Sequence, residues 1–215
     1  MKTNIKQEIL LFFIAILPFI FLFIVWNKLP QEVAIHYNFE GEADRFSSKN
    51  SFILLSGMGL FVYFMLLIVP AIDPKKQIEK MGNKFFMVKF ITLFLVSGIM
   101  CFIIYKTVNT DVPIQFMMVI LGLFFAALGN YFQTIKPNYF LGIRTPWTLH
   151  SDEVWLKTHR KSGKIWIAGG LLMALSYFIF PLQSSSIIMI SITIILAIAP
   201  IILSYLFYKK ETLAN

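Results

Sequence analysis

Six apolar runs, each long enough to cross a bilayer, dominate this chain. They lie at Ile9–Trp26, Phe52–Ile72, Phe85–Tyr105, Ile114–Phe132, Ile165–Leu182 and Ile187–Tyr208. A transmembrane helix needs about 20 mostly apolar residues, because the hydrocarbon core is about 30 Å thick. The last two runs form one apolar stretch of about 66 Å if continuous, at about 1.5 Å per residue, so "PLQSSS" at Pro181–Ser186 must break it. The composition agrees: 58% of the 215 residues are hydrophobic, 14% are charged and 23 are Phe. A soluble domain of this length has too little interior to hide them. The expected fold is an all-α polytopic membrane protein of six transmembrane helices. The N-terminal run resembles a signal sequence, but no small-residue cleavage site follows, so it reads as an uncleaved first helix.

Loop charge sets the expected orientation. The termini, the second loop and the fourth loop carry 14 of the 19 Lys and Arg residues, including Lys2, Lys75, Lys157, Lys161 and Lys164. The first, third and fifth loops carry Lys28, Arg45, Lys49 and Lys106. Positive charge stays on the cytoplasmic side, so both ends are expected there. Lys89 lies just inside the third run and is expected to snorkel toward that face. Topology thereby explains the net charge of +8, and no direct contact with nucleic acid is needed.

Two loops are long. The first, Asn27–Ser51, reads "LPQEVAIHYNFEGEADRFSSK" from Leu29 to Lys49. Val33, Ile35, Tyr37 and Phe39 alternate with polar residues, the period of an extended segment, and Gly41 supplies a turn. His36, Asn38, Glu40, Glu42 and Asp44 are candidate ligands for a hard cation, but they match no EF-hand spacing, and one His makes no zinc site. A structured lid or peptide-contacting surface, a metal site and a plain connector are the readings open here. The reading carried forward is a local turn network of His36, Asn38 and Asp44, without a metal.

The second, at 133–164, holds "NYFLGIRTPWTLHSDEVWLKTHRKSGK". Pro137 ends the fourth helix, Asn138 and Gly142 permit turns, and Arg144-Thr145-Pro146-Trp147 forms an elbow with Trp147 at the headgroup level. Ser151 caps a short amphipathic helix in the interface, with Asp152 and Glu153 in its first turn and Lys157, Arg160, Lys161 and Lys164 late. Glu153 with Lys157, and Trp155 with His159, are four apart and share a face. Arg144 is expected to satisfy free C-terminal carbonyls of the fourth helix with its planar fork. Asn130 and Gln133 are expected to cap that helix or bond to this loop. A basic anchor, a loop that contacts another protein or gates a cavity, and a catalytic site using His150 or His159 are the alternatives.

Chemistry-bearing motifs are otherwise absent. There is no H-E-x-x-H, Gly-x-Ser-x-Gly, P-loop or dinucleotide fingerprint, and the lone Cys101 permits no intrachain disulfide. The runs carry almost no ionisable residues, which argues against a transporter or intramembrane enzyme. No cofactor or metal is called for. Pro18, Pro70 and Pro200 are candidate kinks, and Gly122 with Ala126 is a small-xxx-small pair for close packing.

Both loops resemble the SdpI family of bacterial membrane proteins. "GIRTPWTLHSDEVWLKTHRKSG" resembles its signature through Asn138, Gly142, Arg144, Thr145, Pro146, Trp147, Trp155, His159, Arg160 and Gly163. The first loop resembles a small domain of unknown function found N-terminal to it, through Pro30, His36, Asn38, Gly41, Asp44 and Lys49. Ala34 stands where Pro is common there, and Tyr37 where Phe is common. The resemblance implies a bacterial plasma-membrane protein that is not an enzyme. Its immunity member protects the cell from a secreted peptide toxin and holds a transcriptional repressor at the membrane. The expected organisation is a two-helix unit over 1–72 and a four-helix unit over 73–215. The alternatives kept beside immunity are a transporter or flippase of a small amphiphile, and a membrane enzyme using the loop histidines.

Overall fold

The computed structural model describes residues 4–38, 40–74 and 76–213. Lys2, Phe39 and Lys75, named above, lie outside them. The elements are helices α1 (Ile5–Val25), α2 (Ser51–Ser56), α3 (Met58–Ile72), α4 (Gln77–Lys80), α5 (Asn83–Val108), α6 (Phe116–Phe132), α7 (Pro146–His150), α8 (Asp152–Ile179) and α9 (Leu182–Thr212). Strands β1 (Glu32–Tyr37) and β2 (Ala43–Ser48) make the single two-stranded sheet among the described residues.

Five segments are long and apolar enough to cross a membrane: α1 with the turn after it, α2 with α3, α5, α8 and α9. The fourth expected span, α6, is a shorter apolar helix of 17 residues. Single turns extend it: Met117 N–H bonds Ile114 O, and Thr134 N–H bonds Tyr131 O. Large apolar side chains cover the outside of the bundle, with Phe23 at 85% and Leu54 at 80% exposure. In water such a surface drives aggregation; in lipid it is the normal exterior. The chain is an all-α polytopic membrane protein.

Glycine decides the closest packing. A Cβ on Gly122 would sit 2.5 Å from Gly170 O, and one on Gly170 would sit 2.5 Å from Ala126 N. Two turns toward the motif loop, a Cβ on Gly163 would sit 2.5 Å from Gly129 O. The small pair read in α6 is therefore half of an α6–α8 seam, where backbones touch directly.

Three buried clusters run through the bundle. Leu22, Val25, Val33, Phe52, Met100 and Ile104 pack at the hairpin end. Leu11, Ala15, Tyr63 and Leu93 fill the middle of the first helices. Ile78, Phe85, Phe132, Ile135 and Trp155 pack beneath the motif loop.

Three expectations change here. The turn between the last two helices falls at Phe180–Pro181, and Gln183–Ser186 form the first turn of α9 instead of a linker. Serine is a good helix starter, and Ser185 Oγ donates to Ser176 O of α8 and to Phe180 O in the turn after it. The short interfacial helix begins at Ser151 as expected but does not stop; it continues as α8 to Ile179. Nothing between Lys161 and Ile165 breaks a helix, because Gly163 is tolerated where it meets Gly129. Lys89 does not snorkel: it is 3% exposed, and its Nζ donates to Glu8 Oε1 of α1. Tyr63 of α3 adds a hydroxyl hydrogen bond to Glu8 Oε2 at 3.4 Å. A cation that far inside needs a carboxylate more than it needs a route to water.

Candidate functional site: two loops at opposite ends of the bundle

The motif loop is built from its buried asparagine outward. Asn138 is 2% exposed, and its amide closes a turn in both directions. Oδ1 accepts from the N–H groups of Phe140 and Leu141 at 2.8 and 2.7 Å. Nδ2 donates to the carbonyls of Lys136 and Leu141 at 2.8 and 3.1 Å. This local pattern is what lets Asn replace backbone partners in a turn.

The chain then reverses at Gly142, whose φ is +101°. A Cβ there would meet His159 Nε2 at 2.4 Å, so glycine is required for both torsion and space. The reversal aims the next amide inward. Ile143 N–H donates to His159 Nε2 at 2.9 Å, while His159 Nδ1–H donates to Trp155 O at 2.9 Å. An accepting Nε2 carries no proton, so the ring is the neutral Nδ1–H tautomer. His159 also stacks on Trp155, with ring centroids 4.2 Å apart. Both nitrogens are engaged with backbone and the residue is 1% exposed, so this histidine fastens the loop to α8.

Neither Arg144 nor Trp155 bonds a carbonyl of α6 itself; Trp155 instead holds the segment just after it. Its indole N–H donates to Ile135 O at 2.8 Å, a carbonyl three residues past the end of α6. Arg144 is exposed, and its Nη1 donates to Tyr139 O, a loop carbonyl, at 2.6 Å. Asn130 and Gln133 make no side-chain hydrogen bond to the loop among the described residues; the Gln133 side chain packs where a Gly163 Cβ would fall.

Thr145 and Thr148 then form a reciprocal cap on α7 with Pro146 at its first position. Thr145 Oγ1 donates to Ser204 Oγ of α9 at 3.0 Å, and Ser151 Oγ donates to Glu211 Oε1 at 2.8 Å. Trp147 packs on Tyr205 and His150 on Tyr208, with centroids 5.2 and 5.6 Å apart. The loop is thus tied to α6, α8 and α9 together. The α9 partners Ser204, Tyr205, Tyr208 and Glu211 were not singled out from the sequence; their three- and four-residue spacing puts them on one face. Arg160 is exposed on α8, and Glu153 pairs with Lys157 one turn apart.

At the other end, β1 and β2 form an antiparallel hairpin, with Val33 opposite Ser47 and Ala34 opposite Phe46. The register shifts between Ala34 and Tyr37, a bulge that twists the tip. Asn38 builds the tip: its Oδ1 accepts from the N–H groups of Glu40 and Glu42, and its N–H donates to Glu42 O. Gly41 has φ +78°, and a Cβ there would fall 3.1 Å from Ile114 and 3.2 Å from Leu182, so the tip rests on the starts of α6 and α9. His36 Nδ1 donates to Asp44 Oδ1 at 2.6 Å, and that hydrogen bond holds the Asp44 carboxyl below the usual carboxylate range. Lys49 sits over the Trp26 ring at 4.7 Å, and its N–H bonds Gln31 O, closing the base next to Pro30. Beneath the tip lies a cavity of about 320 Å³, whose walls include Tyr37, His36, Met117, Met118, Leu182 and Met189. No group of three or more His, Cys, Asp or Glu among the described residues is placed to hold a metal.

This is a multi-pass helical membrane protein with one folded loop at each end. Residues 134–204, which hold the motif loop and most of α8 and α9, match the SdpI/YfhL protein family. Residues 13–60, which hold the hairpin and its flanking helices, match a domain of unknown function, DUF1648. The chain is similar to the immunity protein SdpI of Bacillus subtilis (strain 168), at 26% identity over 207 residues, 95% of this chain and 97% of that protein. The likeness read from the loop motifs therefore extends over nearly the whole chain. No solved structure matches it.

Proposed function

We propose that this chain is an immunity protein of the bacterial plasma membrane, protecting its cell from a secreted, membrane-active peptide. The observation that carries the reading is the end-to-end similarity to a bacterial immunity protein, with both folded loops inside the matched length. The loop charges support an orientation with both termini and the motif loop in the cytoplasm and the hairpin outside. In that orientation the hairpin and the cavity under its tip meet a peptide first, and three methionines give the cavity a wall that adapts to an apolar side chain. The two-helix unit over 1–72 receives, and the unit over 73–215 carries the output. The motif loop, from Asn138 to Gly163, offers a fixed surface for a cytoplasmic transcriptional repressor. The reading asks for no catalytic group and no cofactor.

The experiment is expression in a sensitive bacterial host, with survival scored against a panel of secreted antimicrobial peptides. Protection against at least one peptide, absent with empty vector, is the expected result. A second reading, movement of a small amphiphile, is favoured by the buried Glu8–Lys89 pair, since charge inside a bundle often marks a pathway. Protection that fails when the membrane potential is collapsed points to transport.

A further inference from the structure

The three prolines that are candidate kinks differ in what becomes of the hydrogen bond each one removes. A proline inside a helix has no N–H for the carbonyl four residues back. Pro18 frees Ile14 O and Pro70 frees Leu66 O, and neither carbonyl takes a side-chain donor from another helix among the described residues. Pro200 frees Leu196 O, and there the Trp166 indole N–H of α8 donates at 2.9 Å. A neighbouring helix thus supplies the one ladder bond that the proline denies α9.

The indole is fixed from behind for that bond. It packs on Phe132 and Phe125 of α6, with ring centroids 4.6 and 5.4 Å away. A Cβ on Gly129 would sit 2.7 Å from Trp166 Cβ, so glycine admits this side chain at the α6–α8 seam. Gly169 of α8 receives the Leu196 side chain, since a Cβ there would sit 2.9 Å from Leu196 Cδ2. Two residues of α8 therefore grip Leu196, one by its carbonyl and one by its side chain.

The two arms of α9 on either side of this grip have different attachments. In the N-terminal arm, Ser185 is tied to Ser176 O of α8, and Leu182, Ser186 and Met189 line the cavity under the hairpin tip. In the C-terminal arm, Ser204, Tyr205, Tyr208 and Glu211 hold the motif loop. Ser204 is one turn past Pro200, so the direction in which α9 leaves the proline sets where the loop is held. A helix bends most readily where its ladder lacks a bond.

We infer that Pro200 is a hinge in α9 and that the Trp166 indole N–H is the latch that holds it closed, positioning the motif loop through the C-terminal arm. Only the loop's role as an output surface rests on the proposed function. The test uses neither peptide nor survival, so the hinge and that reading fail separately. The measurement is residue-resolved hydrogen exchange of the full chain in detergent. Trp166→Phe keeps a ring against α6 but leaves Leu196 O unpaired, so protection of the Thr145 and Thr148 amides should fall about tenfold. Protection of the Glu40 and Glu42 amides, at the other arm, should change less than about twofold. Pro200→Ala gives position 200 an N–H for Leu196 O, so adding Trp166→Phe to it should cost the loop less than about twofold. Pro200→Val supplies the same N–H and repeats the comparison if Pro200→Ala folds poorly. A loss at Thr145 and Thr148 of the same size with and without the proline overturns the latch, because the indole would then only fill space. Equal loosening at Glu40 and Glu42 overturns the hinge.

Discussion

At the residue scale, the motif loop depends on a few hydrogen bonds that only particular side chains can make. Trp155 is the clearest case, because its buried indole N–H supplies the carbonyl of Ile135, just after α6. Trp155→Phe keeps a ring against His159 but leaves Ile135 O unpaired. A buried unsatisfied group costs about 1–3 kcal/mol, so thermal unfolding in detergent should shift down measurably. Arg144→Lys removes one exposed bond to Tyr139 O and should leave the unfolding temperature within error. An unchanged Trp155→Phe would show that the indole bond contributes nothing. Asp44 makes the corresponding prediction at the hairpin. Its folded pKa is lowered by His36, so its contribution is complete above the usual carboxylate value and is lost as pH falls through the lowered one. Protection of the Glu40 and Glu42 amides relative to their intrinsic exchange rates should be high at neutral pH and fall as pH drops through the lowered value, and Asp44→Asn should flatten that dependence. The turn residues Asn138, Gly142 and Asn38 were legible from the sequence, because turn chemistry is local. The His159–Ile143 bond was not, because nothing in the spacing says which amide the reversed chain will present.

At the element scale, two devices hold helices that share no water-exposed surface. Gly122, Gly129, Gly163 and Gly170 let α6 and α8 touch along their backbones. The Glu8–Lys89 pair, with Tyr63, ties α1, α3 and α5 together near the N-terminal ends of α1 and α5. Removing one partner strands the other, so Lys89→Met should destabilise by about 3–5 kcal/mol. Glu8→Gln/Lys89→Met removes both charges and should recover much of that loss. The same stability for the single and double variants would mean the pair is not coupled. Helix number and approximate span positions were readable from apolar run length. Helix ends were not: α8 begins 13 residues before its apolar run, because its first turns are polar and capped by Ser151. Lys89 was visible as a charge in an apolar run, but its partner is 81 residues away, and no local pattern reports that.

For the whole molecule, the proposed function requires a receiving hairpin and an output loop on opposite sides of one membrane, with three buried clusters packed between them. Reporter fusions after Asn38 and after His150 should therefore report opposite compartments; the same compartment for both would remove the orientation. The central claim is that the hairpin is where protection begins. Its tip rests on α6 and α9 through Gly41 and is shaped by the Asn38 turn. The decisive measurement is survival of a sensitive host under the protecting peptide, with membrane abundance quantified in the same cultures. The comparison is the parent chain against Asn38→Ala and His36→Ala/Asp44→Ala. Parental abundance and at least tenfold lower survival are expected for both variants. Full protection from both variants at equal abundance would contradict the claim.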